Sequence, residues 1–311
     1  MSYYGEMFCM RILIADDSLT CRLILSAALK DNSYDVLETA DGLDAWMELS
    51  KPDAPQIAIL DWIMPKLDGL ELIQKIRASR TDRPPYIIML TGKSEKKDII
   101  VGLNAGANDY LIKPFDTSEL HARVEVGRRM IELQDALIKS KEKLAYQATH
   151  DPLTGLLNRR AILDRLGDEF SITSRRNHML CVGICDIDHF KHINDTFGHQ
   201  TGDDILCKLS KILEQVTGDC DHIGRIGGEE FLIISSTDSE SDLCSRFERY
   251  RRQIADAGLM TRAGALSVSV SIGVASCSGK NTVDELLAAA DAALYDAKKQ
   301  GRNCVQYTRL S

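Results

Sequence analysis

Between residue 10 and about residue 115 the chain alternates short apolar runs with amphipathic segments. Five runs have the length of a strand and occupy residues 10–15, 34–38, 56–60, 86–90 and 109–112. The segments between them show helical spacing of apolar residues and begin near Ser18, Gly42, Asp68 and Ser94. Continuous apolar strands that alternate with helices are typical of a parallel sheet covered on both faces. We therefore predict a doubly wound α/β domain over residues 9–128.

One long helix is predicted after this domain, over residues 117–148, which contain no proline and a single glycine. Apolar residues recur there at alternating four- and three-residue steps, with Ser140 in the polar position: Val126, Met130, Leu133, Leu137 and Leu144. Leu120 and Val124 suit packing on the domain's own sheet, whereas the distal stripe suits a parallel coiled coil between two chains. We predict a dimerisation linker that overlaps the last helix of the first domain.

The remaining residues, 149–311, are predicted to form a second domain. Apolar strands lie near 179–185 and 231–235, and the run ALSVSVSIGVA alternates in the manner of a half-buried strand. Helical patterns lie near 159–173, 203–216, 239–257 and 283–300. This mixture of alternating and continuous strands predicts a mostly antiparallel sheet with helices packed against it.

Composition narrows the class of protein. The 311 residues carry 46 acidic and 38 basic side chains, a formal net charge of −8, so clustered cations for nucleic-acid phosphates are not expected. No apolar stretch approaches the ~20 residues of a membrane span, and the N-terminus does not have the pattern of a signal peptide. The nine cysteines are scattered without a CxxC pair. We expect reduced thiols, with Cys181 and Cys185 in the core, and a cytoplasmic protein that binds neither membrane nor nucleic acid.

Five polar residues fall at the carboxyl ends of the predicted parallel strands. Asp16 and Asp17 follow the first strand, Asp61 the third, Thr91 the fourth and Lys113 the fifth. Strand ends of this kind share one edge of a sheet, so we expect these side chains in one cleft. Each aspartate alone also fits a helix cap, but three carboxylates in one cleft call for a divalent cation such as Mg²⁺. A cation there would allow Asp61 to attack a phosphoryl group, with Lys113 and Thr91 on its oxygens.

The motifs IADDS, ILDWIMPKLDG, MLTG and DYLIKPF resemble those of the receiver domains of two-component response regulators, over residues 10–130. The resemblance implies a flavodoxin-like sheet and phosphorylation of Asp61 by a cognate histidine kinase or another phosphodonor. The ligands that it implies for one Mg²⁺ are Asp16, Asp17, Asp61 and the carbonyl oxygen of Ile63. It further implies that Thr91 and Tyr110 form the switch pair and that Lys113 contacts the phosphoryl group.

A second group of acidic residues surrounds a pair of glycines. The strand LCVGICDID ends on Asp186 and Asp188, and RIGGEEF places a tight glycine turn before Glu229 and Glu230. Asp186 and Glu229 are expected to converge on one or two Mg²⁺ ions, as phosphoryl and nucleotidyl transfer require. Taken alone, the GGEEF string also fits an ordinary β-hairpin turn with charged neighbours.

Two further segments supply polar and basic residues. FKHINDTFGHQTGDDIL is predicted to form a helix–loop–helix that carries Lys191, Asn194, His199 and Asp203. An asparagine and an aspartate can together hydrogen-bond guanine, whose N1–H and N2 donors adenine lacks. ALYDAKKQGRN places Lys298 and Arg302 four residues apart, on one face of a predicted helix, where cations suit polyphosphate oxygens or the helix dipole.

Five motifs in order strongly resemble the GGDEF domain of diguanylate cyclases over residues 149–308: DPLTGLLNRR, DIDHFKHINDTFGHQTGD, RIGGEEF, SVSIGVA and ADAALYDAKKQGRN. That family condenses two GTP into cyclic di-GMP and two pyrophosphates on a palm-like domain. The resemblance implies two Mg²⁺ per site, with Mn²⁺ as a substitute, bound by Asp186, the Ile187 carbonyl and Glu229. It implies that Glu230 is the general base or a metal-assisting carboxylate. The remaining implied contacts are Asn194 and Asp203 to guanine and Lys191, His199, Lys298 and Arg302 to phosphates.

One departure from the family pattern concerns feedback. Many such cyclases carry an RxxD product-inhibition site, and here the corresponding positions run from Gly218 to Asp221, so the aspartate is retained without the arginine. We expect weak or absent inhibition by product. The arginines of the following helix, Arg246, Arg249, Arg251 and Arg252, are expected on a solvated face, with Arg249 as a residual product contact.

The sequence therefore predicts a cytoplasmic homodimeric diguanylate cyclase whose receiver controls it, because each domain holds one GTP and the reaction needs two domains face to face. The first alternative is a catalytically silent GGDEF module that binds GTP or cyclic di-GMP and signals by protein contact; the loss of acidic ligands that would mark it is not seen. A cyclase of mixed purine use is disfavoured by Asp203. A transcription factor would need a helix-turn-helix and a basic face after the receiver, and neither appears in the sequence.

Overall fold

The computed structural model describes residues 10–30, 34–79, 82–92, 96–176, 179–218, 221–237, 240–277 and 281–310. The chain divides into two compact units, Met1–Glu142 and Lys143–Ser311. No helix in the described ranges is long and apolar enough to cross a membrane.

The first unit is built on a parallel sheet with the strand order β2-β1-β3-β4-β5. Its strands are β1 (Arg11–Ala15), β2 (Asp35–Thr39), β3 (Ile57–Asp61), β4 (Tyr86–Thr91) and β5 (Asp109–Ile112). Its helices are α1 (Leu19–Lys30), α2 (Gly42–Leu49), α3 (Gly69–Ala78), α4 (Lys96–Ala105) and α5 (Thr117–Thr149). The doubly wound parallel sheet predicted from the apolar runs is confirmed.

Apolar side chains cover both faces of this sheet. On one face Leu25 and Leu29 of α1 pack with Leu120 and Val124 of α5 against alternate residues of the strands. On the other face α2 and α3 cover the remaining residues, with Leu72 at the centre of the cluster. All residues of β3 and β4 are buried, which explains why those strands read as uninterrupted apolar runs.

Helix α5 has 33 residues, and the division between the two units falls within it. Its first turns belong to the core, since Leu120 and Val124 are buried and Gly127 lies so close to Tyr86 that a Cβ atom would come within 2.7 Å of the ring. From Val126 onward the apolar stripe is exposed, as its members show: Val126 50%, Met130 56%, Leu133 67%, Leu137 70% and Leu144 62%. Half or more of each of these side chains is therefore left uncovered by the described residues.

The second unit is built on a five-stranded sheet with the order β12-β11-β6-β8-β7, antiparallel except for the parallel pair β11–β12. Its strands are β6 (Met179–Ile187), β7 (His222–Gly227), β8 (Glu230–Thr237), β11 (Val270–Cys277) and β12 (Val305–Arg309). A separate hairpin consists of β9 (Leu259–Thr261) and β10 (Gly264–Leu266). The helices are α6 (Arg159–Arg176), α7 (Phe190–Phe197), α8 (His199–Val216), α9 (Glu240–Asp256) and α10 (Val283–Lys299).

The alternating run that was predicted as one half-exposed strand behaves differently in the structure. Its first residues form β10, and all eight residues of β11 are buried. Strand β11 lies between β6 and β12, with apolar clusters on both sides of the sheet. Ser271 and Ser276 of β11 are therefore buried, and Ser271 has a specific hydrogen-bonding role described below.

Candidate functional site

The first candidate site is an acidic pocket formed by Asp16, Asp17, Asp61 and Lys113 at the carboxyl edge of the parallel sheet. One carboxylate oxygen from each of the three aspartates lies within 4.8 Å of the others. Asp16 and Asp61 are buried, whereas Asp17 is exposed. Lys113 places Nζ 2.7 Å from Oδ2 of Asp16 and 2.8 Å from Oδ1 of Asp61. This all-oxygen group fits a hard divalent cation, and the structure brings together the four residues as the sequence predicted.

Burial and charge set the protonation of this pocket. Burial raises the pKa of Asp61, and the ammonium group of Lys113 opposes the rise. Burial by itself would lower the pKa of Lys113, but its hydrogen bonds to Asp16 and Asp61 outweigh burial and raise that pKa. The lysine therefore carries a positive charge at neutral pH and supplies a counter-charge to Asp16 and Asp61.

The loop after β3 is held close to the pocket. Gly69 begins α3 against the main chain of Asp61, where a Cβ atom would lie 2.2 Å from the Asp61 carbonyl oxygen. Lys66 adopts a left-handed conformation, φ 67°, and its Nζ lies 2.6 Å from Oδ2 of Asp41. Ile63, the expected carbonyl ligand, lies on this loop with a side chain that is 66% exposed. A large apolar side chain in solvent is consistent with a loop whose main chain, rather than side chain, has a role.

The two residues expected to form the switch lie on neighbouring strands. Thr91 is buried at the end of β4, and its carbonyl oxygen accepts from the main-chain N–H of Lys113 at 2.8 Å. Tyr110 is half-buried on β5, with the guanidinium carbon of Arg123 5.1 Å from its ring centroid. Arg123 also pairs with Asp109 and belongs to α5, so the environment of Tyr110 includes the helix that leaves this unit.

The second candidate site, here called the carboxylate edge, consists of Asp186, Glu229, Glu230 and Lys298. Asp186 lies one residue before the end of β6 and faces Glu230 across the β6–β8 pair. The β7–β8 turn contains Gly228 at φ 45°, a conformation that suits glycine, and Glu229 follows it. The fold thus brings the acidic residues of two distant motifs to one sheet edge, as the sequence predicted.

Lys298 approaches this edge from the last turn of α10. Its Nζ lies 2.8 Å from Oδ2 of Asp186. Burial raises the pKa of Asp186, with the Lys298 contact acting in the opposite direction. Burial and then the charge of Asp186 raise the pKa of Glu230, which moves it towards the range useful for a general base. Oxygen donors with a surplus of negative charge fit Mg²⁺ here, although the close three-carboxylate cluster found among the described residues is the one in the acidic pocket.

Helices α7 and α8 carry the residues expected to recognise guanine and are joined by the single residue Gly198, φ 83°. Asn194 lies on α7, and its Oδ1 atom is buried without a hydrogen-bond partner. Gly202 of α8 lies directly against this oxygen, since a Cβ atom there would be 2.0 Å away. His199 and Asp203 are exposed on the first turns of α8, and Lys191 is exposed on α7. In this group of residues, the buried amide oxygen of Asn194 is the atom with an unused capacity to accept a hydrogen bond.

A hairpin that the sequence analysis did not identify supports α8. Arg262, in the turn of the β9–β10 hairpin, places Nε 2.9 Å from Oδ2 and Nη2 3.1 Å from Oδ1 of Asp204. It also donates to Gln200. Hydrogen bonds from Arg262 lower the pKa of Asp204 to about 2. Two residues of α8 that flank His199 and Asp203 are therefore fixed from outside the helix.

The prediction that Lys298 and Arg302 share a helix face is wrong. Helix α10 ends at Lys299, and Gly301, Arg302 and Asn303 all adopt positive φ angles of 108°, 67° and 46°. Gly301 tolerates the left-handed conformation that ends a helix, so the chain turns away before Arg302. Arg302 is exposed in the turn between α10 and β12, while Lys298 points to Asp186.

The retained aspartate of the degenerate product-inhibition motif is engaged inside the protein. Asp221 has a fully buried side chain, with Arg246 Nη1 2.6 Å from Oδ1. Ser235 donates to the same oxygen at 2.6 Å, and the hydroxyl of Tyr250 donates to Oδ2 at 3.0 Å. The expectation that Arg246 lies on a solvated face is therefore wrong, because a buried carboxylate draws its guanidinium inwards. Nothing in the arginine spacing alone reveals that contact.

A second arginine missed in the sequence connects the start of the second unit to the glycine turn. Arg225 donates to the Gly228 carbonyl oxygen through Nε at 3.0 Å and Nη2 at 2.7 Å. Its Nη1 lies 3.2 Å from Oδ1 of Asp151, which also caps the turn at Thr154. The glycine turn is thereby held from outside. Its place two residues before the glycine pair of RIGGEEF is the one signal that pointed to Arg225.

Both units match known sequence families. A profile of the family described as "Diguanylate cyclase, GGDEF domain" matches residues 148–304, about half of the chain, and that of "Response regulator receiver domain" matches residues 12–125. The response regulator PleD of Caulobacter vibrioides is 30% identical over 95% of this chain and 65% of its own length. The diguanylate cyclase DosC of Escherichia coli is 37% identical over 55% of this chain and 37% of its own length. The chain thus spans less than two thirds of these relatives.

Solved structures agree with this assignment. The coiled coil and GGDEF domain of DgcB from Caulobacter crescentus, in complex with c-di-GMP, aligns with a TM-score of 0.55 at 31% identity, over 61% of this chain and 99% of that one. The diguanylate cyclase SiaD from Pseudomonas aeruginosa, in complex with its activator SiaC, aligns with a TM-score of 0.51 at 33% identity, over 61% and 74%. The chain therefore belongs to the GGDEF family and joins a GGDEF domain to a response regulator receiver domain.

Proposed function

We propose that this protein is a cytoplasmic diguanylate cyclase that condenses two GTP into cyclic di-GMP and two pyrophosphates, under the control of phosphorylation at Asp61. The observation that carries the proposal is the carboxylate edge, where Asp186 and Glu230 face each other beside Lys298. A silent module would be expected to have lost part of this group. The proposed domains are 9–128 for the receiver, 117–148 for the linker and 149–311 for the cyclase.

The carboxylate edge suits attack of a 3′-hydroxyl on an α-phosphate. Glu230 is proposed as the general base that accepts the hydroxyl proton, since burial and the neighbouring Asp186 raise its pKa. Mg²⁺ held by Asp186, the Ile187 carbonyl and Glu229 would neutralise charge on the phosphates and on the attacking oxygen. Lys298 is proposed to leave Asp186 for a phosphate oxygen when GTP enters. Lys191, His199 and Arg302 are proposed to contact the phosphates, and Asn194 and Asp203 the guanine.

The acidic pocket suits acceptance of a phosphoryl group from a histidine kinase or another phosphodonor. Asp61 is proposed to take the phosphoryl group, with Lys113 and Thr91 on its oxygens and Tyr110 reporting the change. Mg²⁺ at Asp16, Asp17, Asp61 and the Ile63 carbonyl would screen the carboxylates during the transfer. The contact of Arg123 with Tyr110 gives α5 a direct link to this switch.

The reaction needs two GTP-loaded domains, and the exposed stripe of α5 supports a homodimer in which each chain supplies one of them. Five large apolar side chains at coiled-coil spacing are half or more exposed to solvent. Pairing with the same stripe of a second chain would bury them. Phosphorylation would then shift the population of a productive dimer, by no more than the difference in its stability between the two states.

The proposal is tested by incubating the purified full chain with GTP and Mg²⁺, with and without beryllofluoride as a mimic of the phosphoryl group, and identifying products by chromatography and mass spectrometry. We expect cyclic di-GMP in both conditions and more of it with the mimic. Asp61→Asn should remove the response to the mimic, and Glu230→Gln should remove the product. The matched control is Asp168→Asn on the exposed face of α6, which should behave as wild type.

The outcomes separate the parts of the proposal. Product that does not respond to beryllofluoride would retain the enzyme and contradict the switch. No product from folded, dimeric protein in either condition would contradict the cyclase and favour the silent binding module.

A further inference from the structure

Asp188 closes the strand motif that contains Asp186 but has no role in the proposed reaction. It follows β6 and is 5% exposed. A buried carboxylate needs hydrogen-bond donors or a counter-charge, so its partners indicate its purpose.

Among the described residues, the hydrogen-bond partners of the Asp188 side chain lie far from it along the chain. The hydroxyl groups of Ser269 and Ser271 each donate at 2.6 Å, the first to Oδ2 and the second to Oδ1. The main-chain N–H of Asn303 donates to Oδ2 at 3.0 Å. The main-chain N–H of Asp188 in turn donates to the Ser269 carbonyl at 2.9 Å. The carboxylate therefore joins the end of β6, the start of β11 and the turn that follows α10.

Asn303 is held from a second direction. Its Oδ1 accepts from Nη1 of Arg251 at 2.7 Å, and Arg251 is fixed by Glu248 through two hydrogen bonds of 2.9 and 2.6 Å. Both Arg302 and Asn303 adopt left-handed conformations, which residues other than glycine rarely adopt without support. The contacts of Asn303 supply that support, and the residue next to it is Arg302.

We propose that Asp188 is a positioning residue for nucleotide binding: it holds the turn 301–303 in its left-handed conformation so that Arg302 faces the phosphates of GTP. The inference rests on the proposed function, since it assigns Arg302 to the phosphates. Asp186 and Asp188, at the same strand end, then contact two different parts of the segment that supplies the basic residues. Asp186 contacts Lys298 of α10, and Asp188 contacts the turn that carries Arg302.

The test is a double-mutant cycle on the full chain, with binding of a non-hydrolysable GTP analogue and Mg²⁺ measured by calorimetry. Asp188→Ala removes the acceptor of the Asn303 N–H and should weaken binding by roughly tenfold. In an Arg302→Ala background the same change should cost less than about twofold, because the group that it positions is gone. Asp188→Asn can keep all three contacts, since its amide donates to a serine hydroxyl that turns to accept, and should stay within about twofold of wild type. Asp168→Ala, an exposed aspartate of α6, is the matched control.

Equal losses from Asp188→Ala in both backgrounds would overturn the proposal, and so would a loss in Asp188→Asn as large as that in Asp188→Ala, which would indicate a need for charge. If Asp188→Ala does not fold, Asn303→Gly loosens the same turn with the carboxylate intact and enters the same cycle. A wild-type chain that binds no GTP would contradict the proposed function instead. Amide hydrogen exchange then tests the positioning role of Asp188 without GTP. Faster exchange at residues 301–304 in Asp188→Ala, but not in Asp188→Asn, supports this role. Unchanged exchange in Asp188→Ala overturns it.

Discussion

The Nη1 atom of Arg246 lies 2.6 Å from Oδ1 of Asp221, and the side chain of Asp221 is completely buried. Asp221 is the aspartate at the position of the degenerate RxxD product-inhibition motif. Ser235, Tyr250 and the main-chain N–H of Gly218 also donate to this carboxylate. The aspartate is thus retained as part of the interior, and its presence alone does not indicate a product-binding site.

Weak feedback inhibition is the first expectation from this pair. The wild-type cyclase should continue to turn over GTP at micromolar cyclic di-GMP, because Gly218 offers no guanidinium and Asp221 is already engaged. Gly218→Arg should not restore inhibition by itself. The measurement is the initial rate against added product, and a nanomolar inhibition constant in the wild type would contradict the expectation.

The same pair should matter for stability. Asp221→Asn leaves Arg246 without its counter-charge and weakens the bonds of Ser235 and Tyr250, which should cost about 2–4 kcal/mol of the free energy of unfolding. Urea unfolding of the full chain, followed through the transition of the second unit, measures this. The control is Asp168→Asn on the exposed face of α6, which should unfold as wild type does. An unchanged unfolding midpoint for Asp221→Asn would show that the buried network contributes nothing.

Gly202→Ala should damage GTP recognition through Asn194. A Cβ atom at position 202 would lie 2.0 Å from Oδ1 of Asn194, so the asparagine must move or α7 and α8 must separate. We expect kcat/KM for GTP to fall at least tenfold, by roughly 1.4 kcal/mol or more of lost transition-state binding. Gly167→Ala is the matched control, because a Cβ atom there meets nothing within 4 Å on α6. It should leave turnover unchanged and slightly stabilise the helix. Equal activity of the two variants would contradict the proposed role of Asn194.

The exposed stripe of α5 should govern association of two chains. Leu133→Asn combined with Leu137→Asn removes side chains that are 67% and 70% exposed in the single chain, so the fold of each unit should be preserved. Dimerisation should weaken by at least tenfold, and turnover should become steeply dependent on protein concentration. Light scattering after size exclusion and sedimentation measure the first effect. Lys139→Asn combined with Glu142→Asn, both exposed on the same helix but off the stripe, costs about the same helix propensity and should remain dimeric.

The pH dependence of stability should reveal how much the ionised carboxylate of Glu248 contributes to the free energy of unfolding. Hydrogen bonds from Arg251, opposed by burial and assisted by Arg252, lower the pKa of Glu248 to about 2. In the unfolded chain a glutamate titrates near ~4.3, so this carboxylate stabilises the fold fully above that pH and loses its contribution as pH falls towards 2. The difference in Tm between wild type and Glu248→Gln should therefore be largest at pH 5–6 and shrink below pH 4. Glu214→Gln, exposed on α8, should match the wild type throughout. A constant difference at all pH values would exclude the ion pair as its cause.

Much of the fold could be predicted because its elements are specified locally. The apolar runs of β3 and β4 are uninterrupted because both faces of these strands are buried. Asp41 caps the start of α2, and Asp68 caps the start of α3. Strand ends of a parallel sheet share an edge, which is why the acidic pocket could be assembled from Asp16, Asp61 and Lys113 without coordinates. The exposed stripe of α5 was likewise visible in its spacing alone.

The wrong predictions have local as well as distant causes. A helix that carries both Lys298 and Arg302 is excluded by a local signal, since Gly301 between them ends α10. The serines of β11 suggested a face in solvent, although Ser271 is buried against Asp188. In the case of Ser271 the local pattern permits two structures, and a partner from another part of the chain selects one.

Residue order and type were enough to establish the two domains, the helix between them, and the acidic and basic groups that each sheet edge collects. The reason is that hydrophobic periodicity, strand ends and turn glycines each depend on residues only a few positions apart in the sequence. Tertiary structure alone decided how the polar groups pair: Asp186 with Lys298, Asp221 with Arg246, Arg225 with Gly228 and Asp188 with Asn303. A buried charge takes the donor that packing brings within about 3 Å, and distance in space is not recorded in spacing along the chain.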